Sequence, residues 1–75
     1  MANESNIQIQ ICSDLDYDNL IAEIIINGEF VGLISKEPDC DIIFEIPEGQ
    51  VNSIKVPLVD FEKSLVLARK ALLNE

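Results

Sequence analysis

The stretch LIAEIIINGEFVGLIS, residues 20–35, contains two apolar runs that are separated by Asn27-Gly28. Asn-Gly between two such runs is the strongest short-range hairpin signal, because a type I′ turn needs a positive φ at both central residues. The stretch therefore predicts a β-hairpin, with one strand on each side of the turn. These strands are predicted at about residues 20–27 and 29–35.

Gly32 lies inside the second of these strands and not in a predicted turn. Glycine in a strand interior marks a bulge or a close approach by another group. We expect packing of the helix, or of a ring such as Phe30 or Phe44, against this position.

Further strands are predicted outside the hairpin. Residues 6–13, NIQIQICS, alternate apolar and polar positions, and this period of two is typical of a strand with one solvated face. Residues 41–46, DIIFEI, form the next candidate, and residues 51–56, VNSIKV, form a weaker fifth candidate. Residues 1–5 are expected to be a disordered N-terminal end.

The C-terminal segment predicts a helix over residues 61–73. Asp60 is the expected N-cap, and Arg69 and Lys70 occupy the last turns, where the helix dipole favours cations. Apolar residues recur at spacings of four, three and four, which gives one stripe along the helix. The residues of this stripe are Phe61, Leu65, Ala68 and Leu72.

The order of these elements, β-β-β-β-β-α, predicts the fold class. The chain has 75 residues, of which 48% are hydrophobic, so it has the material for one dense core. We expect an α+β fold, in which an antiparallel meander sheet of four to five strands carries one C-terminal helix on one face. Residues 6–75 would form this single domain.

The predicted hairpin is apolar on both faces, although a sheet covered by one helix needs only one apolar face. Alternation places Ala22, Ile24 and Ile26 on one side, together with Phe30, Gly32 and Ile34. We expect the aliphatic residues of the other side to stay uncovered and to mediate homodimerisation. These are Ile21, Ile25, Val31, Leu33 and Ile43. Two alternatives stay open: the sheet covers itself, or the register is shifted by one residue, which would exchange the two faces.

The stretch DLDYDN, residues 14–19, places aspartates on alternate positions, as an EF-hand loop does. The twelfth position of that loop is an isoleucine, which cannot bind a metal. We therefore predict a turn, in which Asp14 and Asp18 bond to their own backbone while Leu15 and Tyr17 point inward. A weak cation site is the alternative. The chain has no histidine and no CxxC spacing, so no zinc and no other cofactor are expected.

The net charge of −9 is unevenly distributed, because residues 1–35 carry six acids and no base. Such a surface repels nucleic acid and anionic membranes, so neither is an expected partner. The expected partner is another protein with a basic surface. The alternative is that the acidity only keeps the protein soluble. The expected contact residues are Asp14, Asp16, Asp18, Glu23 and Glu29.

Residues with catalytic potential are scarce. A histidine is missing, and neither Cys12 nor Cys40 has a basic neighbour that would lower the pKa of a nucleophilic thiol. We therefore expect no enzyme activity. The N-terminus does not resemble a secretory signal, which favours a cytoplasmic protein with free thiols.

Two functional hypotheses follow. The first is a small acidic interaction module of the cytoplasm, such as a bacterial immunity protein, an antitoxin or another inhibitor of a basic partner. The second is a structural or accessory subunit that forms homodimers through the apolar sheet face.

Overall fold

The computed structural model describes residues 6–49 and 54–75. Four strands and one helix follow each other in the order β-β-β-β-α, which confirms the predicted α+β class. The strands are β1 (Ile7–Cys12), β2 (Ile21–Ile26), β3 (Glu29–Ser35) and β4 (Ile43–Glu45). The helix is α1 (Leu58–Leu73). Within this part of the chain, no helix has the length and the apolar character to cross a membrane.

Two of the predictions fall partly or wholly outside the described residues. They are the disordered end at residues 1–5 and the first half of the fifth strand, at residues 51–53. Residues 54–57 are described, and they form no strand. The sheet described here therefore has four strands, which lies within the predicted range.

The sheet is an antiparallel meander with the strand order β1-β2-β3-β4. Asn27 and Gly28 form the predicted turn with φ values of 53° and 82°, the positive values that a type I′ turn needs. The same asparagine also holds the start of β1. Its Oδ1 accepts a hydrogen bond from the N–H of Asn6 at 2.9 Å, and its own N–H donates to the Asn6 carbonyl at 2.7 Å.

A β-bulge shifts the pairing of β2 with β3. Ile24 pairs with Gly32 and Ile25 pairs with Phe30, so Val31 is an extra residue in β3. An extra residue breaks the period-two alternation at that point. Val31 therefore joins the core beneath α1, while Phe30 lies on the opposite face, where it contributes to a cavity. The faces predicted for Phe30 and Val31 are wrong, because the bulge interrupts the period-two alternation on which the prediction depends.

Gly32 lies directly beneath an aromatic ring, which confirms the predicted close approach. A Cβ atom at this position would lie 2.7 Å from Cε1 and Cζ of Phe44 and 3.0 Å from the carbonyl oxygen of Glu45. The ring of Phe44 packs edge-to-face against Phe61 of α1, with centroids 5.6 Å apart and an interplanar angle of 81°. A glycine at position 32 thus lets the edge strand β4 contact the helix.

The helix starts earlier than the sequence pattern predicts. It begins at Leu58, and Pro57 occupies the N-cap position without a side-chain hydrogen bond. Pro57 replaces the expected cap because its fixed φ suits the entry to a helix. The expectation that Asp60 is the N-cap is wrong. Asp60 instead lies in the first turn, where the helix dipole favours a negative charge. Lys70 lies in the last turn, as predicted.

The predicted apolar stripe of α1 packs against the sheet. Ala68 is fully buried, and the other three stripe residues are partly buried against the core. Ser64 is also fully buried on this face. Its hydroxyl donates a hydrogen bond to the carbonyl oxygen of Phe61 at 2.7 Å, which satisfies the buried donor.

The apolar surface expected for self-association is mostly covered within one copy. Ile21, Val31 and Leu33 are only 0%, 4% and 3% exposed, whereas Ile43 is 50% exposed. Ile25 is half-buried. The expectation of one exposed patch from these five residues is wrong for two reasons. The bulge turns Val31 toward the helix, and the β1–β2 loop folds across the end of the other face.

We expect Gly32→Ala to lower the free energy of unfolding by about 1–3 kcal/mol, because the added methyl group overpacks the contact with Phe44. Chemical denaturation of the single variants and of Gly32→Ala/Phe44→Ala measures the coupling. The cost of the alanine at position 32 should shrink once the ring is removed. An undiminished cost in the double variant would contradict the role assigned to the ring.

Candidate functional site

The β1–β2 loop, residues 13–20, crosses the end of the sheet and is fastened to the segment that follows β3. The backbone N–H groups of Asp18 and Asn19 donate to the two carboxylate oxygens of Glu37, at 2.7 and 2.9 Å. The side-chain Nδ2 of Asn19 donates to the carbonyl oxygen of Lys36 at 2.8 Å. Hydrogen bonds to a charged acceptor are the stronger kind, so Glu37 fixes the path of the loop.

The predicted turn is present at the start of this loop. Oδ1 of Asp14 accepts a hydrogen bond from the N–H of Asp16 at 2.9 Å, and the Asp14 carbonyl accepts one from the N–H of Tyr17 at 3.1 Å. Leu15 stands at the outer corner of this turn and is fully exposed, so the expectation that it points inward is wrong. Across residues 6–49 and 54–75, no group of three or more potential ligands could hold a metal ion.

Tyr17 extends from the loop to β4, where its phenol O–H donates a hydrogen bond to Oε1 of Glu45. This hydrogen bond raises the pKa of Tyr17 to about 12, and burial and the charges of Glu45, Asp14 and Asp16 act in the same direction. A negative environment disfavours a second negative charge on the phenolate. Tyr17 therefore remains a protonated donor at neutral pH, and it bridges the open face from the loop to the edge strand.

A cavity of about 570 Å³ lies between this loop and β4, on the face of the sheet that α1 does not cover. We call it the acidic cavity. Its apolar and aromatic side chains come from Tyr17, Phe30, Leu33 and Pro47, and its acids are Asp14, Asp16, Glu23, Glu45 and Glu48. Among residues 6–49 and 54–75, no lysine or arginine lines this cavity.

The strand register explains how two of these carboxylates are positioned. Leu33 pairs with Glu23 on one side and with Glu45 on the other, so the three side chains form one row across the sheet. Neighbouring strands are about 4.8 Å apart, so the two glutamates stand on the order of 10 Å apart across Leu33. That spacing is too wide for one metal ion, and it suits an extended group that carries positive charge.

The structure brings together three of the five acids that the sequence predicts as contacts. Asp14, Asp16 and Glu23 line the acidic cavity. Asp18 does not line it, and Glu29 lies beside the hairpin turn, at the other end of the sheet. Glu29 is separated from the loop acids because the β1–β2 loop and the hairpin turn lie at opposite ends of β2. Asp18 lies in the loop itself, where its backbone N–H bonds to Glu37.

Sequence reasoning missed two acids of the cavity, Glu45 and Glu48. A signal for Glu45 was available, since it interrupts the aliphatic pattern of β4 on the same face as Glu23 does in β2. Glu48 follows β4 in a turn, and its position depends on how the chain leaves the sheet. Hydrophobic periodicity in the sequence does not predict where the chain runs after β4.

The thiols of Cys12 and Cys40 are both free. Burial raises the pKa of the Cys12 thiol, and the charge of Glu23 and a hydrogen bond to it add to this effect, as does the charge of Asp14. A thiol with a raised pKa is a weak nucleophile at neutral pH. The Cys12 thiol, which lies near the acidic cavity, is therefore not activated as a nucleophile.

Comparisons of the chain with protein-family models, with curated proteins and with solved structures find no match. The function is therefore inferred from the geometry and the charge of the site.

Tyr17 is the only tyrosine and the chain has no tryptophan, so an absorbance titration reports on this residue alone. We expect a midpoint at about pH 12 rather than at the ordinary 10.0. Glu45→Gln should lower the midpoint, because it removes the charged acceptor. Glu29→Gln, at the other end of the sheet, should leave it unchanged. A wild-type midpoint at the ordinary value would contradict the hydrogen bond.

The same shift predicts how stability depends on pH. A folded-state pKa that is raised above the unfolded value stabilises the fold while the group is protonated. The contribution of Tyr17 is therefore fully present below pH 10 and is lost as the pH rises toward about 12. Thermal melts between these pH values should show the loss of this stabilising contribution in the wild type. Tyr17→Phe has no phenol to titrate, so its melts should lack this contribution at every pH.

Proposed function

We propose that this chain is a protein–protein interaction module whose acidic cavity binds a basic segment of a partner protein. The observation that carries this proposal is a concave site of about 570 Å³, whose described lining has five acids, no base and an apolar floor. Carboxylates form strong charge-assisted hydrogen bonds with arginine and lysine. The long aliphatic stems of those residues pack on apolar surface, which Phe30 and Pro47 supply.

The positions of the basic residues support the same proposal. Lys63, Arg69 and Lys70 are exposed on α1, which covers the opposite face of the sheet. Nζ of Lys36 donates hydrogen bonds to the carbonyl oxygens of Glu37 and Cys40. None of these four basic residues is among the described residues that line the acidic cavity. Complementary charge speeds association and orients an approaching basic partner toward this face.

An inhibitor of a basic protein is the cellular role that this binding mode suits best. A protein that binds nucleic acid uses clustered lysine and arginine for phosphate contacts. An acidic cavity with an aromatic and aliphatic floor can occupy such a cluster and exclude its target. The proposed role is thus that of a cytoplasmic immunity protein, an antitoxin or a related inhibitor, and it needs no chemistry from the chain itself.

We expect Asp16→Asn/Glu23→Gln/Glu48→Gln to weaken binding to an immobilised arginine-rich peptide by about tenfold or more, which is about 1.4 kcal/mol. These three positions leave the Tyr17–Glu45 bond and the turn at Asp14 intact. Surface plasmon resonance at two salt concentrations measures the effect, and added salt should weaken the wild-type interaction.

The matched control is Glu29→Gln/Glu62→Gln/Glu75→Gln, which removes three charges away from the cavity. Both triple variants change the net charge from −9 to −6, since −9 + 3 = −6. The control should keep its affinity within about twofold of wild type, as exposed charges that are distant from the contact contribute little. An equal loss in both variants would show that net charge, and not the acidic cavity, determines binding.

A further inference from the structure

The first strand is an edge strand that lacks the usual protection. Within the described ranges 6–49 and 54–75, the strand order places β1 at one end of the sheet, so nothing described there pairs with its outer side. Natural proteins protect such edges with charges, prolines, bulges or very short strands. β1 has six residues in a regular register with β2, and no charged residue or proline occurs in residues 5–13.

The other edge of the sheet is protected in several ways. β4 has only three residues, it carries Glu45, and Pro47 follows it two residues later. Proline cannot donate a ladder hydrogen bond, and an edge charge opposes pairing with another strand. Within the part of the chain that the structure describes, the sheet therefore has one closed edge and one open edge.

The ladder between β1 and β2 shows which backbone groups point outward. The N–H of Asn27 donates to the carbonyl of Asn6 at 2.7 Å, so these residues form a hydrogen-bonded pair. In an antiparallel ladder, hydrogen-bonded pairs alternate with non-bonded pairs. The even-numbered residues of β1 therefore direct their N–H and C=O groups toward β2. The residues that direct these groups outward are Ile7, Ile9 and Ile11.

We propose that β1 pairs antiparallel with β1 of a second copy of this chain, about a two-fold axis at Ile9. Ile9 then faces the partner's Ile9, and Ile7 faces the partner's Ile11. Each directly opposed pair of this type exchanges two hydrogen bonds. The register therefore uses every outward donor and acceptor that these three residues offer in both copies.

The side chains fit this register as well as the backbone does. Isoleucine stays opposite isoleucine on the α1 side, and Gln8 lies opposite the partner's Gln10 on the open face. Pairing would also cover Ile11, which is 42% exposed in one copy. No position of the paired segment brings two like charges together, because β1 has none.

Charge also selects this edge for a second copy. Two chains with a net charge of −9 repel each other, so they associate best where the local charge is zero.

The helix lies over β1 and β2 more than over β3, and a two-fold axis through the strand pair places both helices on one face of the joined sheet. The two acidic cavities remain open on the other face. Because β4 is a closed edge, the assembly stops at two copies.

A charge exchange at the two glutamines tests this pairing. Both side chains are exposed on the open face, and neither belongs to the core of one copy. Because Gln10 lies directly opposite Glu23 of β2, thermal melts of each variant alone check that the single copy stays folded. In Gln8→Lys/Gln10→Lys, each lysine would stand opposite a lysine of the second copy, and in Gln8→Glu/Gln10→Glu each glutamate would oppose a glutamate. Like charges directly opposite each other on a sheet are destabilising.

We expect sedimentation equilibrium to show a wild-type dimer that is weakened about tenfold or more in either variant alone and restored in an equimolar mixture of the two. The lysine variant reduces the magnitude of the negative net charge, from −9 to −7, since −9 + 2 = −7. If repulsion between whole chains controlled association, this variant would dimerise more tightly than the wild type. That result would overturn the proposal.

Amide hydrogen exchange gives an independent readout. The amides of Ile7, Ile9 and Ile11 should become protected as the protein concentration rises, whereas those of Gln8 and Gln10 are already bonded to β2 in one copy. Three results would overturn the proposal: a wild-type protein that remains a monomer up to about 1 mM, a dimer that both variants leave unchanged, or a dimer in which the three isoleucine amides still exchange freely.

Discussion

The extra residue in β3 determines which side chains meet the helix and which face the open side of the sheet. Without Val31 as a bulge, Phe30 would lie beneath α1 and Val31 would lie on the other face. The bulge reverses this arrangement, so an aliphatic side chain completes the core and an aromatic ring joins the floor of the acidic cavity. The core beneath the helix and the candidate site on the opposite face thus depend on the same irregularity.

A small sheet with a single helix leaves one face without a covering layer, and this chain covers part of it with a loop. The loop between β1 and β2 reaches Glu37 through two backbone N–H groups, and Tyr17 reaches Glu45 in the edge strand. Leu33 is buried from solvent beneath these contacts, whereas Leu15 is fully exposed. The same contacts also bring carboxylates from the loop and from two strands to one concavity.

The acidic cavity and the β1 edge are separate surfaces with different physical character. The cavity offers negative charge above an apolar floor, which suits a basic segment, while the edge offers uncharged backbone hydrogen-bonding groups, which suit another strand. Pairing at the edge leaves the open face free, so two cavities would face the same direction. A partner with two basic segments could then bind with an increased effective concentration.

Local sequence patterns were sufficient for the elements whose structure depends on near neighbours. The Asn27-Gly28 turn, the alternation of β1 and the apolar stripe of α1 each follow from dihedral preference or from side-chain periodicity, and the α+β meander follows from their order. Only the tertiary structure decided the bulge at Val31, the burial of Ile21 and Leu33, and the meeting of Asp14 and Glu23 with Glu45 and Glu48. Each of these depends on how distant segments pack, and the free energy of that packing is not encoded in a local sequence pattern.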